Sequence, residues 1–220
     1  MTNLKNQIIS TLLEEVGDVE TWSLNHPKYF GPDTRTLAIF GEIDNSSAYL
    51  IISQLEHLAH LAQDEPITLH LNTEGGSLTD AFAIYDCIVN LPCPVIILAT
   101  GLCASAGLLI LSAADYKMAT QSTTFYYHQP IFSQPGIINS AKDMNTLNSY
   151  YQFCQTQLNN KIKPNLSISK SHWEKYFKAS TGYYFDAAQA LKYNFIDKIS
   201  TSMKLNFQIK DLIEQETEGA

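Results

Sequence analysis

Three short stretches hold residues whose types and spacing suit nucleophilic chemistry. In "GLCASAGLL", residues 101–109, Ser105 stands among Gly101, Ala104, Ala106 and Gly107, with apolar residues around it. A serine between a strand and a helix either caps the helix or presents its hydroxyl as a nucleophile on a sharp turn cleared by small neighbours. The spacing is not the G-x-S-x-G elbow. In "TFYYHQP", His128 closes a short strand just before Pro130. A serine nucleophile needs such a base to take its proton. In "LNTEGGSLTD", Gly75 and Gly76 sit between a strand and a helix, where glycine admits positive φ and lets the backbone approach a ligand. The helix start that follows offers free N–H groups to an anion. A plain tight turn would use the same residues.

The other histidines suit a base less well. His57 and His60 lie three apart on a helical stretch, His70 lies within a strand, and His26 and His172 lie in polar segments. No spaced His/Asp cluster or Glu-x-x-His suggests a metal, and no cofactor is expected. The four cysteines, Cys87, Cys93, Cys103 and Cys154, form no C-x-x-C pair and read as buried free thiols. The formal net charge of -8 and pI of about 5.1 argue against nucleic acid or an anionic membrane as the main partner. No basic start with an apolar block and cleavage site opens the chain, and no run of 18 apolar residues occurs. A soluble, cytoplasmic protein is expected.

The positioning elements follow from periodicity. Leu4, Ile8, Ile9, Leu12, Leu13 and Val16 predict an amphipathic N-terminal helix, followed by a Pro/Gly loop, so that residues 1–34 form an appendage. From there strands alternate with helices: "RTLAIFGEI", then "SSAYLIISQLEHLAHLA"; "PITLHLN", then "SLTDAFAIYDCIVNL" behind a Ser77 cap; "CPVIILATG", then "SAGLLILSAA". "YKMAT" and "TTFYYH" are short strands, and a long polar-aromatic helix covers about 139–162. "SKSHWEKYFKAS" and "DAAQALKYN" are further helices before the strand "FIDKIS", and 201–220 is a frayed acidic tail. One α/β domain over 35–200 with a mostly parallel sheet is expected.

Taken together, Gly75-Gly76-Ser77, the Gly101–Gly107 stretch around Ser105, and His128-Gln129-Pro130 resemble the proteolytic subunit of the Clp protease, in the same order. The likeness runs from about Arg35 to Ile199. It implies a ClpP/crotonase-like fold, a superhelix of stacked β-α units with 139–162 as a protruding handle. It implies Ser105 as nucleophile and His128 as general base of a serine endopeptidase acting on unfolded or flexible chains. The N–H groups of Gly76 and Ala106 would form the oxyanion hole, where losing one donor typically costs about 3 kcal/mol. It further implies a homo-oligomeric ring, a heptamer or double ring, served by an AAA+ ATPase unfoldase.

The family's aspartate falls on Gly182 in "KASTGYYFDAAQA". The nearest carboxylate is Asp186, whose spacing to Gln189 is that of a helix capping box. A one-turn shift would bring Asp186 round to His128; Ser180, Thr181 or a backbone carbonyl would orient the ring otherwise. Thr68 and His70 stand where the family carries aromatic docking residues, and the N-terminal pore loop does not match. Tyr150, Tyr151 and Phe153 on the long helix suit an oligomer interface or packing on the helix's own body. Two alternatives follow: a catalytically silent, structural or regulatory subunit, and a crotonase-like acyl-CoA enzyme, whose backbone N–H groups would hold a thioester oxygen.

Overall fold

In the computed structural model, which describes residues 34–130, 141–178 and 182–200, the expected alternation becomes a seven-stranded sheet. The N-terminal helix and its loop, Ser180, Thr181 and the acidic tail lie outside the described residues. The elements are β1 (Thr36–Ile43), α1 (Asn45–Leu61), β2 (Ile67–Gly76), α2 (Leu78–Asn90), β3 (Val95–Ala104), α3 (Ala106–Ser112), β4 (Tyr116–Thr120), β5 (Thr124–Tyr127), α4 (Ala141–Ile162), α5 (Lys170–His172), β6 (Tyr183–Asp186), α6 (Ala187–Lys192) and β7 (Lys198–Ser200). α5 runs on as a π-helical stretch, Trp173–Lys178.

The order β1-β2-β3-β4-β7 is parallel throughout, and β3 forks. Its first half, Ile96–Ala99, pairs with β4, and its second half, Leu102–Ala104, pairs in parallel with β5. β5 then pairs antiparallel with β6. At the fork Gly101 takes φ 61°, and the Asn72 side chain accepts a hydrogen bond from the Leu102 N–H at 3.0 Å. The register between β2 and β3 shifts there, so a side chain supplies the partner the ladder skips.

The core follows the pattern of apolar residues. β3 is buried along Val95–Thr100, as an all-parallel interior strand must be. Ala48, Ile51, Leu55, Leu58 and Ala59 give α1 its buried stripe, and Ala81, Ile84 and Ile88 do the same for α2. α3 is apolar all round, and Leu108, Leu109, Ile110 and Leu111 are each at most 1% exposed. Each such side chain contributes about 1.5–3 kcal/mol by leaving water. That burial pins the helix that begins at Ala106.

Arg35 closes the other end of α1. Its guanidinium donates to the carbonyls of Leu58 (2.8 Å), Ala62 (3.1 Å), Glu65 (2.6 Å) and Pro66 (3.1 Å). One planar cation thus ties the end of the helix to the turn that leads into β2. Two details differ from the sequence pattern. β2 and β3 continue as strands through Gly76 and Ala104, so the glycine pair is strand backbone rather than turn. And Tyr183–Asp186, where the pattern placed no strand, is the strand β6.

Candidate active site

Ser105 precedes α3 with φ 55° and ψ -122°. A residue with a Cβ in that region is strained by about 1–3 kcal/mol and persists only where its surroundings hold it. Its N–H donates to the Tyr126 carbonyl at 2.8 Å, and its own carbonyl accepts from the Leu108 N–H at 3.1 Å. The hydroxyl makes no capping bond to the helix it opens. Ser77 at the head of α2 contrasts with it, since its Oγ accepts from the Asp80 N–H.

The small residues around Ser105 are clearance for packed backbone. Gly75 has φ 100°, and a Cβ there would lie 2.5 Å from the Ser105 Cβ and 3.0 Å from the Ala104 carbonyl oxygen and the Ala106 nitrogen. At Gly107 a Cβ would lie 2.5 Å from the Thr73 methyl. Thr73 is buried and ties the approach together: its Oγ1 donates to the Gly41 carbonyl (2.6 Å) and accepts from the Gly75 N–H (2.9 Å). The end of β2 is therefore pressed onto the turn that carries Ser105.

His128 follows β5, the strand that pairs with the end of β3. Its Nδ1 lies 2.6 Å from the Gln129 carbonyl oxygen. A carbonyl only accepts, so that contact places the hydrogen on Nδ1 and leaves the Nε2 lone pair as the basic site. Gln129 is held on both sides: its Nε2 donates to the Lys178 carbonyl, and its Oε1 accepts from the Tyr151 hydroxyl at 3.1 Å. The Tyr126 ring packs beside the imidazole, 5.3 Å between centroids.

Gly76, Ser105, Ala106 and His128 line one cleft of about 300 Å³, with Ser77, Pro130 and Tyr150 among the residues of its walls. The cleft does not gather Asp186. In the β5–β6 register Thr124 faces Asp186 and Tyr127 faces Tyr183, so the position across from His128 is Gly182. Four residues of strand, roughly 13 Å, separate Asp186 from that place. Asp186 instead caps α6: its Oδ1 accepts from the Gln189 N–H at 2.8 Å, and Gln189 Oε1 accepts from the Asp186 N–H at 3.2 Å.

The remaining candidates are placed elsewhere. His172 joins an aromatic cluster, its Nε2 3.0 Å from the Tyr193 hydroxyl. His70 is buried in β2, and burial depresses its pKa. His57 and His60 lie along α1. Burial pushes the Cys87 thiol up to about 11 and raises Cys93 and Cys103 as well, which removes these three as thiolate nucleophiles at neutral pH. Among the described residues no group of three or more His, Cys, Asp or Glu gathers to hold a metal, and no helix is long and apolar enough to cross a membrane. The sequence pattern did not single out Tyr126, and it offered a backbone carbonyl for the imidazole without naming Gln129. Nothing in residue types announces a backbone acceptor, whereas the aromatic run "YYF" was a strand signal for β6.

The model of the Clp protease family matches residues 32–203. The chain is 30% identical over 169 residues to the ATP-dependent Clp protease proteolytic subunit 2 of Treponema pallidum (strain Nichols), covering 76% of this chain and 82% of that protein. It is 30% identical over 163 residues to the protein of the same name in Thermobifida fusca (strain YX), covering 73% and 78%. Against the ATP-dependent Clp protease proteolytic subunit 1 of Mycobacterium tuberculosis (strain ATCC 25618 / H37Rv) it is 27% identical over 175 residues, covering 78% and 84%.

Proposed function

Since the chain belongs to the Clp protease family, we propose that it is a serine endopeptidase that cuts unfolded or flexible protein chains within an oligomeric chamber. The observation that carries this reading is the strained Ser105, in one cleft with His128 and the backbone of Gly76 and Ala106. Ser105 Oγ attacks the peptide carbonyl carbon as His128 Nε2 takes its proton. The N–H groups of Gly76 and Ala106 hold the oxyanion that forms. The intermediate collapses, the amine leaves with the proton from Nε2, and an acyl ester remains on Ser105. Water, deprotonated by the same nitrogen, then adds to the ester carbon and releases the acid.

The orienting group of this dyad is the Gln129 carbonyl on Nδ1, with Asp186 assigned to the helix cap. A carbonyl fixes the tautomer but brings less charge than a carboxylate to the imidazolium that forms. A triad without its acid loses on the order of 10⁴ in rate, so slow turnover goes with this arrangement. Met144 and Phe153, 53% and 59% exposed on α4, support a packed oligomer. A homo-oligomeric ring of stacked β-α subunits is the assembly, and an ATPase that unfolds and delivers substrate is the partner. His70 is buried and Thr68 half-buried, so that partner docks through other residues than these two.

The glycine across from His128 favours a second reading, a silent subunit that shapes a ring without cutting. A fluorophosphonate probe combined with native mass spectrometry separates the two. Labelling once per chain, lost in Ser105→Ala, supports the protease. Assembled protein that never labels supports the silent subunit.

A further inference from the structure

Continuing the β5–β6 register one step past its last pair, Tyr127 with Tyr183, sets Gly182 across from His128, and side chains at facing positions share one side of a sheet. The neighbouring pairs show this: the Phe125 and Phe185 rings stack at 5.3 Å, and those of Tyr126 and Tyr184 at 4.0 Å. A side chain at position 182 would therefore stand beside the imidazole, but that place is taken. A Cβ built there would run into the Tyr126 hydroxyl and lie 2.5 Å from both Cε2 and Cζ of that ring. The same ring lies against His128. Its backbone carbonyl accepts the Ser105 N–H. Tyr126 thus touches the base with its side chain and the nucleophile's turn with its main chain.

We propose that Tyr126 is a positioning residue of the Ser105–His128 pair, its ring filling the place beside the imidazole where β6 would otherwise present a side chain, and that Gly182 is the residue that leaves room for it. This rests on reading His128 as the base. The two positions form an exchangeable unit: an aromatic ring from β5 with glycine just before β6, or a small residue on β5 with a carboxylate just before β6. The first holds the imidazole by packing and leaves Nδ1 to the Gln129 carbonyl. The second would offer Nδ1 an anion. Among the described residues, the titratable groups that share the ring contact or the cleft with His128 are phenols, Tyr126 of β5 and Tyr150 across the cleft.

The exchange is testable as a cycle of full-length proteins: wild type, Tyr126→Ala, Gly182→Asp, and both together. Two measurements are made on each, the rate of Ser105 labelling by a fluorophosphonate across pH and the titration of the ¹⁵N-labelled His128 imidazole. Tyr126→Ala slows labelling, and Tyr126→Phe, which keeps the ring, stays within a few-fold of wild type. Gly182→Asp accelerates labelling at least about tenfold more when position 126 is alanine than when it is tyrosine, because only then is the place vacant. In the double variant the His128 titration and the acid limb of labelling move to higher pH, since an adjacent carboxylate favours imidazolium. A packing role alone would move neither. Equal effects of Gly182→Asp in both backgrounds, or an unmoved His128 titration in a folded double variant, overturn the proposal. The titration also decides it in a protein that never labels, where the protease reading fails separately.

Discussion

Replacing Gly75 with alanine tests whether the end of β2 holds Ser105 in place. Two costs are expected, and a second glycine separates them. At φ 100° any residue with a Cβ is strained, by about 1–3 kcal/mol. The new Cβ would also lie 2.5 Å from the Ser105 Cβ. Overpacking of this kind costs about 1–3 kcal/mol. Gly41 has a similar φ of 88° but nothing within 4 Å of a built Cβ, so Gly41→Ala carries only the first cost. For a domain of this size each kcal/mol is worth roughly 2–4 °C in Tm. Gly75→Ala should therefore melt roughly 2–12 °C below Gly41→Ala. The two Cβ atoms must part by about 1 Å to reach ordinary contact. Misplacing a reacting group by about 1 Å can cost about 10²-fold in rate. Thermal melts and fluorophosphonate labelling of the two variants read both quantities. If Gly75→Ala melts with Gly41→Ala and labels at the wild-type rate, then β2 does not buttress the serine and the packing account fails.

Arg35→Ala removes the cation from part-buried carbonyls at the end of α1 and is expected to cost about 2–4 kcal/mol. Arg35→Lys should recover less than half of that in denaturant melts, because an ammonium cannot fork to several acceptors. Asp186→Asn keeps a good N-cap and should leave both stability and labelling near wild type, while Asp186→Ala should lose about 1 kcal/mol with labelling unchanged; a large loss of labelling in Asp186→Asn would return this carboxylate to the catalytic group. Burial holds the His70 pKa below its ordinary 6.5. The unfolded chain then binds a proton that the folded one refuses, so stability falls as pH drops from about 6.5 toward the folded value. The slope of Tm against pH in that window should flatten in His70→Leu. Asp44, whose contacts with Ser47 lower its carboxyl pKa, acts only at lower pH and leaves that window alone.

Periodicity carried most of the fold because most of it is either helix with one apolar stripe or strand buried on both faces. α1, α2, β1 and β3 fall where their patterns put them, within a few residues. The Asp-x-x-Gln spacing marked the cap of α6, because capping is local chemistry between residues three apart. What the pattern missed depends on partners distant in the chain. β6 is four residues long, too short to show alternation, and it exists because β5 offers it an edge. The glycine pair looked like a turn because glycine is common in turns; in the fold β1 continues beside it, pairing Glu42 with Gly75 and Ile43 with Gly76. Ser105 was open between cap and nucleophile for a similar reason. Its residue type fits both, and the missing cap bond, which only the fold shows, removes the cap.

The three motifs come together because of the fork in β3. In an open parallel sheet, ligands collect beyond the carboxyl ends of the strands, where the topology divides. Gly76 ends β2, Ser105 follows the last residue of β3, and His128 follows the last residue of β5. β2 and β5 both pair with the second half of β3, one on each side. In the proposed mechanism Ser105 is thus flanked by one strand end that carries Gly76 and another that leads into His128. Had β3 kept β4 as its neighbour to the end, Thr120 rather than Tyr127 would finish the adjoining strand, and the histidine would lie elsewhere. Pairing with β5 brings His128 to the same cleft as Ser105, and it also sets Gly182, just before β6, at the end of the ladder where His128 follows β5. In the proposed mechanism, what orients the base therefore turns on the end of the β5–β6 ladder, where the Tyr126 ring lies against Gly182, and not on the serine whose motif first marks the site.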